Sequence, residues 1–464
     1  MQRRDFLKMS MAGATLAGGS SALWAAAGSG SVTEHLKVQP AKYGLMPGKI
    51  TEGMVSVFPD APPPVLRLKQ GEVFIADVEN GMDDYTAMHW HGLRIPNAMD
   101  GVPYLTQFPI RPNETYRYEF TPPDAGTYWY HPHCMTMTQM ALGLTGVLVV
   151  EGADDVGFDS EEILNLRDFR LNDEGQFINL YTGRGAARGG THGTVMAVNW
   201  QDVQRSDHQA GSLVRLRVAA TDTTRIYKLY FEDAVGEIIA WDGHPVDYAV
   251  PFPVSPDAPL ILSPGQRMDV ALRMPAVEGE VVKLMARVPG GTREMAVLRS
   301  VGSNAGRALS DLKPLPRNPA SEPDLTNPRI EEFVFGWSPE GDLPNNGFCG
   351  TLGYTFWSIN RTPWAGDASE GTAALARLKL GETVVLRLRN ESPNLHPIHL
   401  HGLAFRPVRS NKREVLPNMT DTALLLKDEV LEVALVADNP GKWAFHCHVI
   451  EHQKTGLAGY IEVI

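Results

Sequence analysis

Alternating apolar and polar side chains mark a strand with one face buried, and in this chain they recur three times directly behind a turn glycine. The stretches are residues 71–78 (GEVFIADV), 211–218 (GSLVRLRV) and 381–388 (GETVVLRL). A second alternating stretch follows each of them, at 112–120 (PNETYRYEF), 264–272 (PGQRMDVAL) and 427–435 (KDEVLEVAL), and each ends near a further glycine, Gly126, Gly279 or Gly441. Like elements at matching spacing signal an internal repeat, so the chain reads as three copies of one β module. The repeat places domain one near 38–152, domain two near 160–300 and domain three near 328–464. Residues 311–327 carry Pro314, Pro316, Pro319 and Pro323 and read as an extended linker between the last two.

Composition agrees with this pattern. With 44 glycines and 34 prolines in 464 residues, turns are well supplied and long helices are not, so an all-β chain is expected. Apolar residues make up 43%, which excludes disorder as the main theme. The formal net charge of -12 repels phosphate backbones and excludes nucleic acid as a partner. Residues 1–30 read as an address. Arg3 and Arg4 precede Asp5, Phe6, Leu7 and Lys8, a weakly apolar run follows, and the segment resembles a twin-arginine export signal. A membrane anchor is the alternative, but Gly13, Gly18, Gly19, Ser20 and Ser21 dilute the apolar run. The expectation is handling by the twin-arginine translocation machinery and a periplasmic mature chain with no stable membrane span.

The repeats also carry the candidate chemistry. Eighteen residues after Gly71 stands His89-Trp90-His91-Gly92, eighteen after Gly381 stands His399-Leu400-His401-Gly402, and eighteen after Gly211 stands Leu229-Tyr230-Phe231. Five residues after Gly126 comes His131-Pro132-His133, five after Gly441 comes His446-Cys447-His448, and five after Gly279 comes Leu284-Met285-Ala286. Alternate residues of a strand face one way, so each His-x-His pair aims two imidazoles at one point. One such pair alone reads as two surface histidines. Four pairs at matching places in modules one and three, eight of the 14 histidines, read as a cage. Eight neutral imidazoles suffice for three metal ions, and imidazole suits copper, zinc, iron or nickel.

Cys447 selects among these metals. It lies between His446 and His448, so its side chain leaves the opposite face of the strand, towards His452 and towards His396 from the preceding loop. One thiolate and two imidazoles form the trigonal set of a blue-copper centre. With HWHG at 89–92, HPH at 131–133, HPIHLH at 396–401 and HCHVIEH at 446–452, the mature chain resembles the multicopper oxidases along its whole length. The resemblance implies three cupredoxin-like Greek-key β-sandwich domains and four copper ions per chain. It makes Cys447, His396 and His452 the type 1 ligands, and His89 and His399 the type 2 ligands. His91, His131, His133, His401, His446 and His448 would then hold the type 3 pair. The axial position of the type 1 site falls at Leu457, where many bacterial members have Met, and implies a copper with no axial donor. Met140 or another sulfur is the alternative.

Dioxygen reduction also consumes protons. Asp100, nine residues after His91, stands where the family has an acid near the oxygen site and is a proton-relay candidate. On local grounds it reads equally as a turn aspartate before Gly101. A second acid often follows the last type 1 histidine in bacterial relatives, but here that residue is Gln453, which carries no proton at ordinary pH. Glu451 is the nearby candidate, on the other face. Cys134 and Cys349 form either a disulfide between domains one and three or two inert buried thiols.

Three function classes follow. The first is a laccase-like oxidase that passes electrons from phenols and aromatic amines to O2. The second is a cuprous oxidase for copper tolerance, with Cu(I) as the small reducing substrate. The third is a non-enzymatic paralogue kept as a periplasmic scaffold, which should have lost ligands, whereas all eleven positions are intact. Cuprous oxidases of this family often carry a Met-rich insert in domain three, and no methionine occurs here between Met295 and Met419. Met135, Met137 and Met140 read as core packing. The sequence favours organic reductants.

Overall fold

The computed structural model describes residues 32–152, 156–339, 349, 352–364 and 373–464, and the expected export signal lies outside them. The described strands form six sheets, stacked as three pairs. In each pair the two stretches expected from the alternation lie side by side and antiparallel. Phe74 faces Phe120, Leu213 faces Arg273 and Thr383 faces Val436. An earlier strand joins each in parallel: Val32–Met46 on Phe74–Asn80, Ser160–Phe169 on Leu213–Ala220, and Arg329–Trp337 on Thr383–Asn390. The first module therefore begins before residue 38, because the strand from Val32 completes its sheet. Residues 313–325 form no regular structure, as their prolines dictate. Asn318 pins this stretch, its amide donating to the Ala125 and Gly243 carbonyls at 2.9 and 3.0 Å.

The second sheet of each pair carries the motif strands. Met88–His91 pairs with Gly126–Pro132, Tyr227–Glu232 with Val281–Val288, and His396–Leu400 with Gly441–Cys447. Alternation then sorts the side chains. Met88, Trp90, Tyr128 and Tyr130 enter the core of the first sandwich, and Ile398, Leu400, Phe445 and Cys447 that of the third. The histidines between them are left on the outward face of the sheet.

In the middle module the eighteen-residue offset slips. Leu229 and Ala286 pair with each other and lie in the core, so they do not correspond to the histidine face. Tyr230 and Met285, the neighbouring cross-strand pair, take the outward face instead. A slip of one residue exchanges the two faces of a strand. Gly126 and Gly441 open their strands, whereas Gly279 lies two residues before Val281, the start of its strand.

Candidate metal centre

Modules one and three bring the eight expected histidines together, all buried. His89 faces His131 across one strand pair, and His399 faces His446 across the other. His133, His401 and His448 lie one residue beyond the ends of their strands. Rings from the two modules stack directly, His89 on His401 and His91 on His399, each with centroids 3.8 Å apart. Ring nitrogens of His89, His91 and His131 converge within 4.8 Å of one another, as do those of His133, His401 and His446. His448 completes the first group, its ring centroid 4.9 Å from His91 and 5.4 Å from His131.

The hydrogen bonds divide most rings into a held nitrogen and an open one. His89 Nδ1 donates to the Asp100 carbonyl at 2.7 Å, His131 Nδ1 to the Pro132 carbonyl at 3.0 Å, and His399 Nδ1 to the Asp421 carbonyl at 2.9 Å. The other nitrogens of these three rings are buried without any partner, as are Nδ1 of His91, Nδ1 of His133 and both nitrogens of His448. A buried polar atom left unpaired costs on the order of 1–3 kcal/mol. A metal ion supplies the missing partners, and a protein acceptor on the second nitrogen is the usual setting of a ligating imidazole. Burial, with the repulsion of neighbouring rings, pushes His91, His131, His133, His401 and His448 well below the ordinary imidazole value and His446 down to about 3. These rings are neutral at pH 7, the form that ligates metal.

The type 1 candidates converge on the other side of the Cys447 strand. His396 Nδ1 and His452 Nδ1 lie 3.6 and 3.5 Å from Cys447 Sγ and 3.1 Å from each other. Ser392 holds Nε2 of His396 at 2.8 Å, and the Arg188 carbonyl accepts from Nε2 of His452, so both rings turn Nδ1 towards the sulfur. Trp357 packs against both rings, 5.0 and 4.7 Å away. Burial lowers His452 to about 4 and raises the Cys447 thiol, which strips the site of charge until a cation fills it. Sulfur with two imidazole nitrogens fits copper. Leu457 is fully buried in the same core as Cys447, and its carbonyl accepts the Cys447 amide at 3.0 Å. Met140 packs elsewhere, with Trp129 and Ile450; Met137 packs beside it, in line with the core-packing reading.

Asp100 is buried between two ligand candidates, its carboxylate 2.9 Å from His401 Nδ1 and 3.3 Å from His89 Nδ1. It is therefore more than a turn residue. Glu451 points away from the cage and accepts from the Thr191 amide and, at 2.7 Å, from its hydroxyl. Gln453 lies 3.4 Å from His133 Nε2. Cys134 and Cys349 form a disulfide across 215 residues, directly behind His133.

Sequence reasoning passed over the middle module's part in the cage. Arg267 of the middle module grips Asp421 of the third with two hydrogen bonds, 2.9 and 2.7 Å. The Asp421 carboxylate in turn meets His91 Nε2 at 3.2 Å and His399 Nδ1 at 3.3 Å. Burial pushes Asp421 up, but the Arg267 charge and the bonds from His399 and His91 outweigh it and hold it well below the carboxylate range. Asp242, which bonds the Arg267 amide at 2.7 Å, is pushed up to about 7 by burial. Thr422 adds its hydroxyl, 3.1 Å from His399 Nδ1. The middle module thus reaches into the surroundings of the cage. The signal for this was Gly92: a Cβ there would lie 2.3 Å from Arg267 Nη2 and 2.6 Å from Asp421 Oδ2, at a backbone φ of +88°.

The comparisons with known proteins agree with this geometry. Models of the multicopper oxidase family match residues 41–155 and 351–464. A multi-copper oxidase structure from Pseudomonas Thermotolerans is 36% identical, superposes with a TM-score of 0.82, and is matched over 94% of this chain and 100% of that one. This chain belongs to the multicopper oxidase family. Its three sandwiches are the cupredoxin-like domains of that family, its cofactor is copper, and it is an oxidoreductase with O2 as acceptor. Laccase-2 of Botryotinia fuckeliana is 25% identical over 89% of this chain and 79% of its own. Copper resistance protein A of Pseudomonas syringae pv. tomato is 36% identical over 37% of this chain and 29% of its own.

Proposed function

We propose that this multicopper oxidase draws single electrons from phenols and aromatic amines and passes four of them to O2, forming water. Four copper ions, when bound, would supply the one-electron acceptor and the oxygen-reducing cluster. The observation that carries the reading is the division of one strand: Cys447 enters the sandwich core to meet His396 and His452, while His446 turns outward to the cage. The covalent path from the Cys447 sulfur to the His446 and His448 rings thereby joins the collecting site to the reducing site. His396, Cys447 and His452 would hold the type 1 ion; His89 and His399 would hold the type 2 ion. His91, His131 and His448 would hold one type 3 ion, and His133, His401 and His446 the other. Asp100 keeps a carboxylate against His401 and His89 from which protons reach the cage. Leu457, buried in the same core as Cys447, would offer a type 1 ion no sulfur donor.

Organic reductants are supported by the lack of methionine between Met295 and Met419 and by the packing of Met140 against Trp129. Arg3 and Arg4 support export by the twin-arginine pathway to the periplasm. Oxygen uptake by the copper-loaded chain, with a dimethoxyphenol or Cu(I) as sole electron donor, tests the assignment. Faster turnover with the phenol is expected; turnover with Cu(I) alone would make the protein a cuprous oxidase.

A further inference from the structure

The middle sandwich contributes none of the eleven candidate ligands, yet it places a buried guanidinium behind two of them. Arg267 opens the strand Arg267–Arg273 and is fully buried. Its Nε donates to the Thr127 carbonyl at 3.2 Å and its Nη1 to the Gly265 carbonyl at 3.0 Å, so module one and the adjoining turn fix its plane. The remaining donors form the fork to Asp421, and a fork of two parallel bonds fixes the carboxylate plane as well as its charge. Asp421 then takes different nitrogens of two rings: Nε2 of His91, at 3.2 Å, and Nδ1 of His399, through its carbonyl at 2.9 Å. What is left unpaired is Nδ1 on His91 and Nε2 on His399.

We propose that Arg267 is a positioning residue for the copper cage: by locking the Asp421 carboxylate against His91 Nε2 and beside His399 Nδ1, it dictates that His91 presents Nδ1 and reinforces the presentation of Nε2 by His399 to the metal. The inference rests on the ligand reading given above. Without the fork, the Asp421 carboxylate is no longer held in its plane, so His91 loses the carboxylate that sets its tautomer and His399 keeps only the Asp421 carbonyl and the Thr422 hydroxyl. Gly92 is part of the same device, since any larger residue would occupy the space of the fork. A control exists two residues along the same strand. Asp269 is equally buried and paired with Arg215 at 2.6 Å, but its hydrogen-bond partners are Thr127, Arg215 and Arg217 rather than candidate ligands.

The test uses the full copper-loaded chain and reads copper per chain, the blue absorption and the type 2 paramagnetic signal during titration with a chelator. Arg267→Met is expected to release the type 2 copper at roughly 10- to 100-fold lower chelator, the usual effect of removing an outer partner of a ligand, with the blue band retained. Asp421→Asn should behave alike, and Arg267→Lys, which keeps the charge but not the fork, should fall between. Arg215→Met should melt earlier and release copper as the wild type does. Wild-type copper retention and an unchanged type 2 signal in Arg267→Met would overturn the inference. Should that variant fail to fold, the same result in Asp421→Asn would overturn it. A wild-type chain lacking type 2 and type 3 signals would instead refute the ligand reading.

Discussion

His399 and His446 in the third sandwich and Tyr230 and Met285 in the middle one are cross-strand pairs on the outward face of equivalent strands. Both pairs are buried or nearly so. The difference lies in what burial demands. An imidazole out of water needs a partner for each nitrogen, and in the outer modules protein groups supply one for most rings, while the remaining nitrogens, both of those of His448 included, face other rings or nothing. Methionine and most of a tyrosine ring need none. The outer modules therefore carry an electrostatic debt that only a metal settles, whereas the middle module is complete without one and can devote its own buried charge, Arg267, to its neighbours.

The comparison breaks most completely at Cys447, a core-facing position that meets two imidazole nitrogens. Cys447→Ser should bleach the blue colour and abolish turnover while leaving the type 2 paramagnetic signal. Persisting blue absorption in that variant would remove the assignment.

Acid should separate the metal-free modules next. His446 and His452 have folded-state values of about 3 and about 4, depressed by burial from an unfolded value of about 6.5. Between those limits the unfolded chain binds more protons than the folded one, so stability rises with pH across the window. The copper-free protein should hold full stability above pH ~6.5 and lose it progressively towards pH ~4, read as a falling denaturation midpoint. A flat midpoint over that range would contradict the burial of neutral imidazoles.

Giving the middle module the outer pattern sharpens the contrast. The double variant Tyr230→His with Met285→His should bind no additional copper, because Asp100, Asp421 and the opposing module are missing there. It should lose about 1–3 kcal/mol for each nitrogen left unpaired, measured by denaturant unfolding of the copper-loaded chain. An additional bound copper would show that histidines on this face suffice by themselves.

The smallest effect concerns the axial position. A sulfur donor stabilises Cu(II) more than Cu(I), so Leu457→Met should lower the type 1 potential by something on the order of 0.1 V, where ~59 mV is tenfold in a one-electron couple. Redox titration giving an unchanged or raised potential would mean that Leu457 does not face the copper.

Much of this architecture was legible in advance because period-two alternation is a local property. The stretches behind Gly71, Gly211 and Gly381 and their second partners are strands, as the repeat implied, and the eight cage histidines converge because their spacing repeats in modules one and three. The offset failed in the middle module because register is set by strand pairing, and Gly279 lies outside its strand while Gly126 and Gly441 lie inside theirs. The two readings of Cys134 and Cys349 were equally good locally, since a bridge over 215 residues depends on how modules one and three meet.

By itself, then, the sequence determined which residues are strands, which faces carry histidine and that Cys447 must leave the opposite face, all consequences of side-chain alternation within single segments. Tertiary structure decided which nitrogen is free on His91, His401 and His452. That choice depends on Asp421, Asp100 and the carbonyl of Arg188, which reach these rings from distant parts of the chain. It also decided that Arg267 of a ligand-free module stands behind the cage, because a buried charge is held only where the fold brings its counter-charge to it.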